Sequence, residues 1–311
     1  MHKAKKSLGQ NFLKSEIALR KIVEAGEVKH DDVVLEIGPG KGALTEQLLA
    51  CGCQVLAVEK DRELFEFLKE KFAEQIKSGS LILLNEDILK FQISNFQFPK
   101  YKIIANIPYN ITGAILKKFL TAENPSGVAL RVSQPERMIL MVQHEVASRI
   151  VARDGKESVL SISVKAYGEP KMIMKVDKRY FSPAPKVNSA IISIKNISRK
   201  NFPPLLVEEG VGGGDSLDPL SNLPLRRGRS SQLPPRPSGT PPQKGGERTL
   251  EERFWEIVKA GFAHKRKKLS GNLKGVISSE ELSLINLKNK RAEDLTLDDW
   301  ITLARYENGA K

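Results

Sequence analysis

The chain has 311 residues, 40% of them hydrophobic, two cysteines and a formal net charge of +13. At ~150 residues per domain this length allows two folded units, and the apolar content supports a sizeable core, which excludes a wholly disordered or fibrous chain. No run approaches the ~18 apolar residues of a membrane span, and the basic start MHKAKKSLGQNFL lacks the hydrophobic continuation of a secretory signal.

Ile17, Leu19, Ile22 and Val23 recur at helical spacing behind Ser15, a candidate N-cap. Residues 33–37 are a short apolar run, followed by Gly38-Pro39-Gly40-Lys41-Gly42 and a predicted helix at 43–50. A second strand is expected at 55–58 and a second helix at 62–72, with Leu64, Phe65, Leu68 and Phe72 on one face. Residues 81–84, 102–105 and 138–142 predict further strands, the last leading into a polar helix through Arg149. Residues 160–167, 171–176 and 189–195 also look strand-like. Strands alternating with helices argue for an α/β domain around a mostly parallel central sheet.

The stretch 198–249 is different: its 52 residues hold nine of the 17 prolines, eight of the 23 glycines and one aromatic, Phe202. That composition buries too little surface to offset ordering entropy, so it reads as a flexible linker or insertion. Beyond it, residues 250–262 place Leu250, Phe254, Ile257, Val258, Gly261 and Phe262 on one helical face. Short apolar clusters at 282–287 and 300–303 complete a small all-helical domain. The expected division is therefore 1–197, 198–249 and 250–311.

The glycine-rich turn at 38–42 lets the backbone approach a ligand closely. Its G-x-G-x-G spacing departs from the dinucleotide G-x-G-x-x-G fingerprint and lacks the lysine and hydroxyl of a nucleoside triphosphate loop. Glu59 ends the second strand, where a carboxylate can take both hydroxyls of a ribose. Asp87 follows the third strand beside Ile88, where a carboxylate and an apolar surface can hold an adenine. Together with the motif below, these acids point to S-adenosylmethionine, whose sulfonium tolerates an acidic rim.

Asn106-Ile107-Pro108-Tyr109 sits at the carboxyl end of the fourth strand, where α/β folds place ligands. An exocyclic amine such as adenine N6 is a poor nucleophile because its lone pair is delocalised. The Asn106 side-chain oxygen and a backbone carbonyl of Ile107 or Pro108 would hold it in line with the methyl group, positioning doing most of the work. Pro108 stiffens the turn and offers no competing N–H. Tyr109 offers a ring to the base. No metal is required; His144 and His264 have no partners at ligand spacing, and Cys51-x-Cys53 lacks a second pair. Cys51 and Cys53 are also too close for an easy bridge, which fits a reducing, cytoplasmic compartment.

The chain resembles the ribosomal RNA adenine dimethyltransferase family, and within it the bacterial small-subunit enzymes. The resemblance rests on KKSLGQNFL (5–13), EIGPGKGALT (36–45), AVEKD (57–61), EDIL (86–89), NIPYNIT (106–112), MVQHEVASRI (141–150), FSPAPKVNSA (181–190) and AGFAHKRKKLSGNLK (260–274). It implies a Rossmann-like class I methyltransferase domain and cofactor contacts at Asn11, Leu13, Gly38, Glu59, Asp87 and Asn106. It also implies transfer of two methyl groups to each of two adjacent adenosines near the 3′ end of 16S ribosomal RNA, in a pre-30S subunit, by a cytoplasmic monomer. Alone, Phe181 reads as a core residue. Within F-x-P-x-P-K-V it becomes a candidate to face Tyr109 across a flipped adenine, joining Asn106, Pro108 and Tyr109 as catalytic candidates.

Lys plus Arg number 50 against 37 Asp plus Glu. The surplus gathers at Lys3, Lys5, Lys6 and Lys14, and again at Lys265, Arg266, Lys267 and Lys268 with Lys274. Lysine runs by themselves mark a solvated face; flanking a base pocket, they suggest salt-dependent contacts to RNA phosphates, with Lys186 reaching another. Two alternatives remain from the sequence. One is a large-subunit (23S) adenine N6-methyltransferase of the antibiotic-resistance type, which shares N-I-P-Y and the proline loop. The other is a non-enzymatic assembly or transcription factor on the same fold.

Overall fold

Residues 4–93, 96, 98, 100–121, 134–202, 249–264 and 266–305 are described by the computed structural model. A two-residue strand, β1 (Phe12–Leu13), leads into α1 (Glu16–Gly26), where the Ser15 hydroxyl accepts from the Ala18 amide at 3.3 Å as the N-cap reading requires. This helix buries Ala18, Leu19 and Ile22, while Ile17 faces outward at 61% exposure. Next come β2 (Val33–Ile37), α2 (Ala43–Ala50), β3 (Gln54–Glu59), α3 (Arg62–Lys71), α4 (Ala73–Ser78) and β4 (Leu81–Asn85). Then follow β5 (Lys102–Asn106), α5 (Thr112–Thr121), β6 (Arg137–Gln143), α6 (His144–Val151) and α7 (Val159–Lys165). Next are β7 (Glu169–Val176), β8 (Phe181–Ser182), which pairs with β1, and β9 (Ser189–Lys195). Among the described residues four α-helices follow: α8 (Leu250–Gly261), α9 (Leu269–Asn272), α10 (Ser279–Leu284) and α11 (Leu297–Arg305).

The strand expected at 160–167 is the helix α7. Leu160, Ile162 and Val164 mimic a period of two, but a reciprocal cap decides the local structure. The Ser158 hydroxyl accepts from the Ser161 amide at 3.2 Å, and the Ser161 hydroxyl accepts from the Ser158 amide at 2.7 Å. Helical spacing then buries Ser161, Ile162 and Val164.

Seven strands form one sheet in the order β4-β3-β2-β5-β6-β9-β7, parallel except for β9 and β7. The parallel strands are covered on both faces, which is why they read as continuous apolar runs. Successive residues go to opposite cores: Val34, Val55 and Ile104 meet α1 and α2, while Leu35, Leu56 and Ile103 join the other cluster. From β2 the chain steps to β3 and β4 on one side, then returns to β5 and β6 on the other. The strand order therefore reverses at β2, and ligands bind α/β sheets beyond the carboxyl ends at such a switch point.

The C-terminal helices share a core with the sheet domain. Phe254 of α8 packs on Phe202 with ring centroids 5.0 Å apart, and Phe202 packs on Tyr167 at 5.6 Å. Arg199 pairs with Glu251, and the Trp255 indole N–H donates to the Tyr167 hydroxyl at 3.2 Å. Residues 198–202, expected within the flexible stretch, are instead packed, Phe202 being only 2% exposed. Residues 203–248 lie outside the described residues, as do 122–133.

Candidate active site

The loop after β2 is shaped by backbone needs. Gly38, Gly40 and Gly42 all have positive φ, and a Cβ on Gly38 would meet nothing within 4 Å, leaving open space beside the chain. Glu59, at the end of β3, is 5% exposed; its Oε2 accepts from the Gly40 amide at 3.1 Å and its Oε1 from the Asp61 amide at 2.8 Å. Burial raises its pKa above the usual carboxylate range. A carboxylate offers about four acceptor positions, so two remain for a ligand. Asp87, past β4, accepts from the Leu89 amide at 3.0 Å and from Lys60 Nζ at 2.9 Å, and Lys60 holds its pKa low.

The N-terminal segment closes the opposite wall. Its β1 pairs antiparallel with β8, Leu13 opposite Phe181. Lys5 Nζ and Gln10 Nε2 both donate to Asp61, at 2.7 and 2.8 Å, strapping residues 5–10 across the start of α3. Burial acts to raise the Asp61 pKa, but these bonds outweigh it and the net shift is downward. The Asn106 Nδ2 donates to the Asn11 carbonyl at 3.1 Å. A carbonyl can only accept, so this bond fixes the amide's orientation and reserves Oδ1 as the acceptor end. The Tyr109 hydroxyl lies 2.5 Å from the Ser189 Oγ, and burial raises its pKa, so the phenol stays protonated.

Asn11, Leu13, Gly38, Glu59, Asp87 and Asn106 all line one cleft of about 480 Å³, together with Pro108 and Tyr109. Glu36 also lines it, 1% exposed, with its pKa pushed up to about 8, mainly by burial, and with a 2.7 Å hydrogen bond from the Thr45 hydroxyl. Glu36, Asp61, Gln10 and Ser189 were missed as site residues; Glu36 opens the glycine motif, which was the available signal. Among the described residues no group of three or more His, Cys, Asp or Glu could hold a metal ion, and no helix is long and apolar enough to cross a membrane.

Phe181 is 2% exposed within the core beneath β1 and is not among the residues that line the cleft. Its hydrophobicity is spent seating the β1–β8 ribbon. Lys5 is not a free RNA-facing cation, because Asp61 and Glu63 both pair with it. Lys186, Arg266, Lys267 and Lys268 are exposed, with Lys268 Nζ also donating to Asn289 at 3.1 Å. The Lys6 side chain and Lys265 lie outside what is described.

The family model for ribosomal RNA adenine dimethylase matches residues 1–205. A protein named ribosomal RNA small subunit methyltransferase A from Dehalococcoides mccartyi (strain CBDB1) is 35% identical, covering 96% of this chain and 86% of its own length. The protein of the same name from Thermosynechococcus vestitus is 34% identical over 98% of this chain and 97% of its own. Among solved structures, a dimethyladenosine transferase from Plasmodium falciparum aligns with a TM-score of 0.65 at 22% identity, covering 94% of this chain and 95% of that one. The 23S rRNA methyltransferase ErmE aligns with a TM-score of 0.64 at 24% identity, covering 94% and 98%. These two likenesses establish the fold, a Rossmann-like sheet domain with C-terminal helices. With the family model spanning most of the catalytic region and relatives matching nearly end to end, the chain belongs to the ribosomal RNA adenine dimethylase family.

Proposed function

We propose that the protein transfers methyl groups from S-adenosylmethionine to N6 of two adjacent adenosines in a hairpin loop near the 3′ end of 16S ribosomal RNA. It would act as a monomer in the cytoplasm, on a pre-30S subunit. The observation that carries this reading is the Asn106 amide, whose nitrogen is committed to the Asn11 carbonyl and whose oxygen is left to accept from an amine. Relatives named as small-subunit enzymes, matching over 96–98% of the chain, support the choice of RNA.

S-adenosylmethionine supplies an electrophilic methyl group on a sulfonium. Glu59 would take its ribose hydroxyls with the two acceptor positions left by Gly40 and Asp61, Asp87 its adenine amino group, and the backbone at Gly38 its methionine end. Asn11 and Leu13 close the wall, and Lys5 with Gln10 holds that wall against Asp61. Asn106 Oδ1 and the carbonyl beside Pro108 hold the target amine and favour positive charge building on it. Tyr109, tied to Ser189 and neutral, provides a ring for the extruded base rather than a base for its proton.

The test is transfer of labelled methyl groups to under-methylated small subunits and, separately, to large subunits, with the modified bases mapped. Dimethylation of two adjacent adenosines in the small subunit is the expected result. Label only on the large subunit assigns the antibiotic-resistance activity instead. No label on either, with no cofactor bound in a titration, leaves the assembly-factor reading.

A further inference from the structure

Extruding an adenosine from a loop strips stacking from its neighbour, and that exposed base gains from any π-face placed beside the pocket. Phe181 does not offer one, being buried. The residue before it does: Tyr180 is 48% exposed. We propose that Tyr180, with Lys14, Lys178 and Lys186, forms a second nucleotide seat at the cleft rim, taking the RNA nucleotide adjacent to the target adenosine. This rests on the reading of the cleft as an RNA adenine site.

Four observations place the seat. The Tyr180 carbonyl accepts from the Lys14 amide at 2.8 Å, and Lys14 itself lines the cleft, as does Ser182 two residues on. Tyr180 closes a single turn, Lys178–Tyr180, started by Asp177, which accepts from the Arg179 amide at 2.9 Å. The Asp177 carboxylate also pairs with the Arg179 guanidinium at 3.0 Å, so the turn's own acid is neutralised locally. The Lys178 amide donates to Asn188 Oδ1 at 3.0 Å, tying this turn to the loop that carries Lys186.

The result is an exposed aromatic ring on a turn braced by hydrogen bonds, with Lys14, Lys178 and Lys186 all exposed on the segments tied to it. A single exposed tyrosine is ordinary on a protein surface. An exposed ring among cations, joined by hydrogen bonds to the wall of a base pocket, has the composition of a single-stranded nucleic-acid platform, where stacking tolerates any base and cations follow the phosphates. The partner is therefore unpaired RNA, and the seat explains how the loop is held while one base is withdrawn.

Equilibrium binding of an under-methylated, adenosine-containing RNA hairpin to the full chain tests this without requiring turnover. Tyr180→Ala should weaken RNA affinity roughly 5- to 100-fold, the span of one base stacked on an aromatic ring. Tyr180→Trp should restore it, and S-adenosylmethionine affinity should be unchanged in both. In methyl-transfer assays the same Ala variant should raise KM for small subunits while leaving kcat at saturating RNA within about twofold. An RNA affinity for Tyr180→Ala within about twofold of wild type, or a Trp variant as weak as the Ala one, overturns the seat. Loss of RNA binding in Tyr180→Ala, with wild type silent toward both subunits, keeps the seat and overturns the methyltransferase reading.

Discussion

Replacing Glu36 with Gln isolates the energetic cost of a carboxyl group at the cleft floor. Glu36 is 1% exposed and its pKa stands at about 8, raised by burial first and by the nearby Glu59 charge, against an ordinary value of 4.5. Below pH 4.5 it is protonated in both folded and unfolded chains, and no penalty exists. Between 4.5 and 8 the folded chain keeps a proton that the unfolded chain has lost, so stability falls as pH rises, by about 1.4 kcal/mol per pH unit. From pH 5.5 to 7.5 the loss is about 2–3 kcal/mol. Gln keeps the shape and an oxygen for the Thr45 hydroxyl, and it does not titrate. Urea unfolding of both chains at both pH values gives a double difference in which groups not coupled to Glu36 cancel, and Glu59 nearly so because position 36 is neutral in both folded chains below pH 8. The variant should gain about 2–3 kcal/mol on wild type between the two pH values. A gain below about 0.5 kcal/mol, the usual error of additivity, refutes a protonated Glu36.

Asn106→Ala should lower single-turnover methyl transfer by at least ~100-fold, since the amine loses its oriented acceptor; a loss under about tenfold would mean that Asn106 does not position the reacting nitrogen. Tyr109→Phe and Ser189→Ala each cut the same 2.5 Å hydrogen bond. Their effects on KM for RNA should therefore be similar singly and no larger in the double variant, and additive effects would show that Ser189 does not orient the ring. At Gly261 a Cβ would meet the Trp300 ring at 2.3 Å. Gly261→Ala should cost ~1–3 kcal/mol of stability by thermal or urea unfolding, and a neutral result would place α11 differently against α8.

The parallel sheet was legible because strands buried on both faces must be apolar throughout, and because glycines at 38–42 have no other role consistent with a strand-to-helix turn. The cofactor wall was legible only through motif resemblance, since Asn11 and Leu13 carry no local signal of what they face. Four features resisted reading for definite physical reasons. In α7 a serine cap overrode an alternating apolar pattern. At Phe181 the sequence names an aromatic but not which side of a two-residue ribbon its ring takes, and the core claimed it. Lys5 looked like a free cation because its acidic partners, Asp61 and Glu63, are more than fifty positions away. Phe202, embedded in a proline- and glycine-rich tract, likewise gives no hint that it joins Tyr167 and Phe254.

The pairing of β1 with β8 sets when the site can exist. Phe12 lies opposite Ser182 and Leu13 opposite Phe181, so the wall contributed by the first residues is held by nearly the last turn of the catalytic region. A chain synthesised only through β6 already owns the glycine loop, Glu59, Asp87 and Asn106, yet nothing from β8 pins the segment whose Asn11 carbonyl orients the Asn106 amide. Such long-range pairings form late, after the entropy of closing the intervening loop has been met. The wall that orients Asn106 is therefore anchored at two sequence distances, nearer to Asp61 through Lys5 and Gln10 and farther off to β8 through β1.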